Sequence, residues 1–299
     1  MGYAHIQNLY AFQRILQQPR IVAMEKIHGT SAHVSKGDGG VVTFSGGGET
    51  QHRFLTCFDV PALQAALAAC PYEHVTIYGE AYGGSQQRMA HVYGPKLRFV
   101  AFDVKANGVW MDVEDAEEFV KSLGLDFVPY KIISNDLAEI DAERDAPSEQ
   151  ARKNGVEGDQ PREGVVLKCL REYVDEDGER VMAKHKQDRL AEMATPRKVV
   201  DPAQQVVLDD AVAIAKEWVV LNRLEHVMGA LLRTRHEAGN EAPLGIQDTG
   251  TVCAAMVEDV IREAGREIVV SKEAKTAISK RASLLYREHL KQQAFGESV

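Results

Sequence analysis

The chain has few cysteines, no long apolar run and no excess of basic charge, and each of these shortages excludes a class of protein. Its four cysteines, among 299 residues, lie far apart, with no Cys-x-x-Cys pair and no histidine at zinc-finger spacing. A disulfide framework and a structural zinc site are therefore not expected, and a reducing cytoplasm suits the chain best. No apolar run approaches the roughly 18 residues that cross a bilayer, and the polar N-terminus is unlike a secretory signal. We therefore expect a soluble, cytoplasmic protein without a membrane partner.

The net charge of −9 comes from 35 basic and 44 acidic residues. This is the wrong sign for a protein that coats nucleic acid nonspecifically. The charge is uneven, because residues 184–189 and 272–287 are basic whereas residues 112–118 and 136–149 are acidic. An enzyme that grips a nucleic-acid strand locally can have this profile. The basic residues of the C-terminal part are interpreted as ordinary helix-face charges.

Residues 21–199 have the pattern of a β-rich region. Short segments rich in Val, Ile, Phe and Tyr are separated by Gly, Asn or Asp, namely IVAMEKI, AHVSKG, VVTFSG, HVTIYGEAYG, LRFVAFDVK, GVWMDV, EGVVLKCL and ERVMAKHK. Asn107-Gly108 predicts a type I′ hairpin, because both central turn residues must accept a positive φ. Helices are predicted at residues 61–69 and 113–123. Residues 135–162 lack a clear period and are interpreted as a surface excursion with room for a short helix.

After residue 195 the pattern becomes helical. Asp201-Pro202 is typical of an N-cap followed by proline at the first helical position, and apolar residues then recur at helical spacing from 206 to 231. A second helix is predicted at residues 251–264, and a third from a Ser271 cap to about residue 293.

Together these patterns predict an α+β chain of two domains. The first, residues 1–195, is expected to contain antiparallel sheets with flanking helices, and the second, residues 196–299, to be small and all-α. Both lengths are ordinary for domains.

A lysine at the end of a strand is the first candidate for chemistry. Lys26 lies in EKIHGT, residues 25–30, where a strand meets a turn whose glycine lets the backbone pass close to a ligand. Taken alone, this pattern is more typical of a surface lysine before a turn.

Four later segments each carry a residue type suited to holding a nucleotide on that lysine. Glu80 in TIYGE can accept hydrogen bonds from ribose hydroxyls, and Phe102 in FVAFD can stack on a purine. Glu163 in EGVVLK can bind hydrated magnesium. Lys184 and Lys186 in AKHK are two residues apart and therefore lie on one face of a strand. Individually, these are equally typical of a core aromatic, turn-flanking carboxylates and a solvated strand end.

In this order the five segments resemble the covalent nucleotidyltransferase superfamily of ligases and capping enzymes. Within it they are most similar to the RNA ligase 2 group, which includes phage ligases and kinetoplastid RNA-editing ligases. His28 and the helical C-terminal region resemble the RNA-joining branch, since DNA ligases and capping enzymes usually carry aspartate there and append an OB-fold barrel. Ser31 departs from the family, which often has asparagine after the threonine, and this leaves the engagement of the substrate ends open. Residues 222–227 extend the resemblance weakly.

The resemblance implies that residues 1–195 form a nucleotidyltransferase (adenylation) domain and that the protein is an ATP-dependent RNA ligase. Lys26 would take AMP from ATP, AMP would pass to an RNA 5′-phosphate, and a 3′-hydroxyl would then expel AMP. The implied cofactors are ATP and Mg²⁺, or Mn²⁺ in its place. The implied partner is RNA with 5′-phosphate and 3′-hydroxyl ends, such as a nicked duplex or an RNA/DNA hybrid, and the protein is expected to be a monomer.

The resemblance also implies which residues act. The expected catalytic residues are Lys26, Lys184, Lys186 and Glu163, with the metal held at Glu163. The expected nucleotide-binding residues are Glu25, Lys26, Ile27, Arg53, Glu80, Phe102, Glu163, Lys184 and Lys186. Within this set Glu80 would hold the ribose and Phe102 would stack on adenine, whereas the spacing of Arg53 from Lys26 is looser than the family norm. Asp103 and Lys168 would orient the others.

Two alternatives stay open. One is another enzyme of the superfamily, either an ATP-dependent DNA ligase or a capping-type nucleotidyltransferase. The other is a non-catalytic nucleic-acid-repair scaffold, although a scaffold has no use for a desolvated lysine among cations.

Overall fold

The computed structural model describes residues 2–176, 178–187 and 210–296. The chain divides into two compact units, residues 1–187 and 188–299. The predicted domain boundary near residue 195 lies outside the described residues, as does the predicted helix start at Asp201-Pro202. Within the described ranges, no helix is both long and apolar enough to cross a membrane.

Two antiparallel sheets form the first unit. Its strands in chain order are β1 (Arg20–Lys26), β2 (Thr30–Lys36), β3 (Val42–Ser45), β4 (Val75–Tyr82), β5 (Arg98–Ala106), β6 (Val109–Trp110), β7 (Tyr130–Ser134), β8 (Gly164–Cys169) and β9 (Met182–Lys186). One sheet has the order β7-β1-β8-β9 and the other β3-β2-β4-β5-β6. This confirms the predicted α+β class, with β7 as an additional strand in a segment where none was predicted.

Helices flank the sheets. Those of the first unit are α1 (Gln51–Leu55), α2 (Val60–Ala69), α3 (Ala90–Tyr93), α4 (Val113–Ser122), α5 (Leu137–Asp145) and α6 (Glu149–Lys153), with short 3₁₀ helices at Arg14–Gln17, Asp38–Gly40 and Gln86–Arg88. The two helices predicted from sequence correspond to α2 and α4, within one residue at each end. The Asp59 carboxylate caps α2 by accepting a hydrogen bond from the Ala62 amide at 3.2 Å.

The predicted hairpin turn is present. Asn107 and Gly108 both have positive φ, at 46° and 84°. Ala106 pairs directly with Val109, so only these two residues connect β5 to β6. The Asn-Gly pair therefore confirms the type I′ prediction, for the reason that suggested it.

Residues 135–162 contain two helices where the sequence pattern left room for one, and many of their residues are exposed, as expected of a surface segment. The two helices are α5 and α6, and several polar side chains of the segment are buried. Arg162 is only 2% exposed, and its guanidinium donates to Glu143 Oε1 at 2.7 Å and to the Pro147 carbonyl at 2.8 Å. These polar groups are buried at low cost because they satisfy one another, which a scan for apolar periodicity cannot detect.

The described part of the second unit is helical. It contains α7 (Ala211–Trp218), α8 (Leu221–Glu237), a 3₁₀ helix at Ile246–Asp248, α9 (Thr249–Ala264) and α10 (Lys272–Gly296). The helical pattern predicted from 206 to 231 is interrupted, because Val220 is extended, with φ −121° and ψ 165°. The other two predictions are confirmed, and the Ser271 hydroxyl caps α10 by accepting from the Ala274 amide at 3.0 Å.

A buried charged cluster links the two sheets of the first unit. Asp103 of β5 is fully buried and binds the Lys168 ammonium of β8 at 3.0 Å and the Arg180 guanidinium at 2.9 Å. The Tyr3 hydroxyl donates to the same carboxylate at 2.6 Å. Burial alone would raise the pKa of Asp103, but the two cations and Tyr3 hold that pKa below its usual value. The carboxylate therefore stays ionised and fixes β5 against β8.

We expect Asp103→Asn to destabilise the first unit by about 3 kcal/mol, because it leaves two buried cations with one carboxylate fewer. Urea unfolding followed by β-sheet circular dichroism measures the change. The matched control is Asp159→Asn, since that carboxylate is 77% exposed; its cost should stay within about 0.5 kcal/mol. Equal costs for the two variants would contradict the linking role of Asp103.

Candidate active site

The strand register brings the predicted lysines to one face of the four-stranded sheet. Lys26 of β1 pairs with Gly164 of β8, and Gly164 pairs with Lys186 of β9, so the three residues form a row across the sheet. Lys184 lies two residues before Lys186 on β9, and alternate residues of a strand share a face. The three lysines therefore project from the same face.

Glu163 joins two of these lysines. It immediately precedes β8, is 6% exposed, and accepts a hydrogen bond from Lys26 Nζ through Oε2 at 2.9 Å. Its other oxygen, Oε1, lies 3.1 Å from Lys186 Nζ. Burial alone would raise the pKa of Glu163, but Lys26, Lys186 and His28 hold it well below its usual value. The site therefore contains a carboxylate anion shared by two ammonium groups.

The turn after Lys26 requires a glycine for a packing reason. A Cβ added to Gly29 would lie 2.4 Å from the Ala81 carbonyl oxygen and 2.8 Å from Glu80 Cγ. The backbone thus passes close to β4 at this point, which places Glu80 beside the EKIHGT turn. The close backbone approach expected at Gly29 is present, and the group that the backbone approaches is strand β4.

Phe102 belongs to an aromatic cluster. It lies opposite the register shift between Tyr78 and Gly79 of β4, where β5 carries one extra residue. The Tyr3 ring meets Phe102 edge to face with centroids 4.9 Å apart, and Tyr3 also lies 5.2 Å from Tyr78. Sequence reasoning missed Tyr3, because an aromatic residue near the N-terminus carries no local signal of its partners.

The N-terminal segment reaches this cluster by pairing with β9. The Leu9 amide donates to the Lys184 carbonyl at 2.8 Å, and the Lys184 amide donates to the Gln7 carbonyl at 2.9 Å. The backbone of a predicted catalytic residue is thus held by the first residues of the chain. Lys184 is 7% exposed, so it is not the solvated strand end that it resembles when read alone.

Glu25 faces the other side of the sheet from the lysine cluster. Adjacent residues of a strand face opposite sides, and the Glu25 carboxylate accepts from the Ser148 hydroxyl at 2.5 Å and from the Glu149 amide at 2.9 Å, at the start of α6. Burial raises the pKa of Glu25, and these hydrogen bonds offset part of the effect. Ile27 is 5% exposed and packs in the core. The Glu25 contacts hold β1 against α6 on the side opposite Lys26. Ile27 shares its core with Val22 and Met24, which lie on the Lys26 side of β1.

Arg53 is connected to the EKIHGT turn by a chain of polar contacts. Its side chain is 51% exposed and forms an ion pair with Glu49 at 3.2 Å. Glu49 accepts from Gln86 Nε2 at 2.7 Å, and the Thr30 hydroxyl donates to Gln86 Oε1 at 2.9 Å. The guanidinium is therefore open to solvent and tied to Thr30, at the other end of the turn from Lys26.

Glu163 is the residue suited to a divalent cation. Among the described residues, no group of three or more His, Cys, Asp or Glu side chains could hold a metal ion. Magnesium commonly keeps several waters and binds through one or two carboxylates plus substrate phosphates, so a single buried carboxylate fits it. Because both Glu163 oxygens are engaged by lysines, a cation there would compete with Lys26 and Lys186.

We expect Glu163 to add acid sensitivity to the stability of this unit. The pKa of its carboxyl is lower in the folded state than the value of about 4.3 in an unfolded chain. The sign follows: the contribution is present above about pH 4.3 and is lost as the pH falls toward the folded-state pKa. The difference in unfolding free energy between the wild type and Glu163→Gln should therefore shrink below this pH. The exposed Glu157→Gln serves as control, and a difference that stays constant to pH 3 would contradict the ion-pair geometry.

Known structures resemble this chain at low sequence identity. A ligand-free lysine-to-alanine variant of Naegleria gruberi RNA ligase superposes with a TM-score of 0.50 at 18% identity, covering 63% of this chain and 56% of that chain. An arginine-to-alanine variant of Naegleria gruberi RNA ligase with ATP and manganese gives a TM-score of 0.49 at 17% identity, with the same coverage. The matched part is thus little more than half of the Naegleria protein. At this identity the likeness bears on the fold alone.

No curated protein matches this chain. The family model described as RNA ligase matches residues 19–186. This range is more than half of the 299-residue chain and contains all nine described strands, together with the lysine cluster and Glu163. The chain therefore belongs to the RNA ligase family, as its motif order indicated.

Proposed function

We propose that this protein is an ATP-dependent RNA ligase that joins a 5′-phosphate to a 3′-hydroxyl through an adenylate on Lys26. The observation that carries the proposal is the contact of Glu163 with two lysines. Its buried carboxylate is shared by Lys26 at the end of β1 and Lys186 at the end of β9. Family membership supplies the reaction class, and the Naegleria structures with ATP and manganese, or with pyrophosphate, are consistent with a nucleotide substrate.

The first step transfers AMP from ATP to the protein. Lys26 Nζ attacks the α-phosphorus, a P–N bond forms, the bond to the β-phosphate oxygen breaks, and pyrophosphate leaves. The attacking nitrogen must lose a proton and present its lone pair to the phosphorus, and in this structure Lys26 Nζ donates a hydrogen bond to Glu163 at 2.9 Å. The Lys26 side chain is 23% exposed, so the departing proton passes to solvent. Drawing the Glu163 carboxylate toward another cation would release the Lys26 amine.

Magnesium or manganese is the cation suited to that role, and Glu163 is the residue that would hold it. The ion would supply charge neutralisation for the phosphates of ATP. Lys184 and Lys186, on the same face as Lys26, would neutralise the α-phosphate as charge moves to the leaving pyrophosphate.

The remaining contacts position the nucleotide. Glu80, beside the Gly29 turn, would accept hydrogen bonds from the ribose, and Phe102 would stack on adenine. Arg53 is exposed at the far end of that turn and would contact phosphate or ribose.

The last two steps join the strands. AMP passes from Lys26 to the RNA 5′-phosphate, so the P–N bond breaks and a phosphoanhydride forms. A 3′-hydroxyl then attacks the 5′-phosphorus, AMP leaves with the bonding electrons, and a phosphodiester remains. We propose RNA as the strand that carries the 3′-hydroxyl, and cytoplasmic action as a monomer.

The intact mass of the protein tests the first step. With ATP and magnesium we expect a gain of one adenylyl group, and Lys26→Ala should abolish that gain because the attacking nitrogen is removed. Lys153→Ala is the matched control, since Lys153 is an exposed lysine of α6 in the same unit. A wild-type protein that never gains the group, or a Lys26→Ala protein that still does, would overturn the proposal.

The same mass measurement with GTP, together with a strand-sealing assay, separates the alternatives. A gain of one guanylyl group from GTP, in place of an adenylyl group from ATP, would indicate a capping-type enzyme. No gain from either nucleotide would favour a scaffold. Equal sealing after the 3′-hydroxyl strand is changed from RNA to DNA would favour a DNA ligase.

We expect Phe102→Ala to weaken ATP binding about tenfold, because a base–aromatic stack contributes about 1–3 kcal/mol. Phe102→Tyr keeps the ring and should stay near wild type. Phe44→Ala removes a half-buried ring from β3, where it packs against Phe58, and controls for a general loss of packing. The KM for ATP in the adenylylation step measures the effect, and unchanged values for Phe102→Ala would place the adenine elsewhere.

A further inference from the structure

Two helices in the described part of the second unit, α9 and α10, border a groove that is open to solvent. It has a volume of about 660 Å³ and lies between the first turns of α9 and one face of α10. The residues that α10 contributes are Lys272, Lys275, Thr276, Ser279, Lys280 and Ser283. Their spacing follows the three-to-four-residue repeat of a helix, so they form a continuous stripe along α10.

The lining is basic although the chain as a whole carries a net charge of −9. Three of the ten lining residues are lysines, and none of the ten is acidic. Lys272, Lys275 and Lys280 are exposed, and no ion pair joins any of them to a carboxylate in the part of the chain that the structure describes. An ordinary helix-face lysine is commonly paired with an acidic residue three or four positions away. This stripe therefore differs from the helix-face charges expected from the sequence.

The other lining groups suit phosphate oxygens. Ser279 and Ser283 provide hydroxyl donors between and after the lysines, whereas the Thr276 hydroxyl donates to the Lys272 carbonyl at 2.9 Å. Thr249 and Gly250 belong to the first turn of α9. Amide groups at a helix N-terminus carry partial positive charge and favour anions. Lysines, hydroxyls and helix N-termini are the groups that contact phosphates in protein–nucleic-acid complexes.

The length of the stripe distinguishes a strand from a single phosphate. Lys280 lies eight positions after Lys272. This offset corresponds to about 12 Å along the helix axis. Ammonium groups distributed over that length match successive phosphates of a polynucleotide better than one compact anion. The groove is open to solvent, so a strand could lie along it.

From this geometry we infer that the α9–α10 groove binds the sugar-phosphate backbone of the RNA substrate, independently of its sequence and of its 5′-phosphate end. The inference rests on the proposed function for the choice of RNA. It adds a second contact region in the helical unit, apart from the residues that carry the adenylate.

The test uses the full chain with Lys272→Gln, Lys275→Gln and Lys280→Gln combined. All three side chains are exposed, so the fold should be kept. The charge-matched control combines Lys216→Gln, Arg266→Gln and Lys291→Gln, which are exposed residues of the same unit outside the groove lining. Fluorescence anisotropy measures binding to a nicked RNA duplex over a range of salt concentrations.

We expect the groove variant to bind RNA about tenfold or more weakly at physiological salt. The slope of log K against log salt should become shallower by about 3, or about 1 for each lysine. The loss should be the same with and without the 5′-phosphate, and the control should keep the wild-type slope. In hydrogen exchange, RNA should protect the first-turn amides of α9 in the wild type and not in the groove variant.

Adenylylation by ATP separates this inference from the proposed function. The groove variant should gain the adenylyl group as the wild type does, because the groove contains none of the adenylate-site residues. A wild type that never gains the group refutes the ligase proposal, while the binding comparison still tests the groove. A groove variant with wild-type affinity and salt slope overturns the inference.

Discussion

The site depends on one buried carboxylate held between two lysines. Removing Glu163 from water is unfavourable, and Lys26 and Lys186 offset that cost at 2.9 and 3.1 Å. The contact requires β1, β8 and β9 to pair in one register, since a slip of a single residue would turn each lysine to the opposite face. The same contact holds the Lys26 side chain in place beside Glu163.

Other buried polar contacts support the Lys26–Glu163–Lys186 contact from both sides of the four-stranded sheet. On the face that carries the lysines, Asp103 of the five-stranded sheet binds Lys168 and Arg180 and so holds the two sheets together. On the other side Glu25 caps α6 next to the Lys26 position. Each contact satisfies a charged group that would otherwise be costly to bury. The charged residues are thus part of the framework of the unit as well as of its chemistry.

The charge of this acidic chain is distributed unevenly over its surfaces. The acidic residues of α5 and its neighbours are largely taken up in ion pairs, such as Glu143 with Arg162 and Lys131. Three lysines share one face of the four-stranded sheet, and three others lie along the α10 stripe. Because solution charges are screened over about 8–10 Å, a strand near either surface responds to the local charge more than to the total.

Local signals in the sequence were enough to predict the Asn107-Gly108 hairpin, the Ser271 cap, the shared face of Lys184 and Lys186, and the order of motifs that indicated the family. Three long-range contacts became visible only in the folded chain: Lys26 and Lys186 meet at Glu163, Arg162 bonds to Glu143, and Tyr3 lies against Phe102. The reason is physical. Turn and cap preferences depend on neighbouring residues, whereas these contacts join residues nineteen or more positions apart through sheet register and mutual satisfaction of buried polar groups.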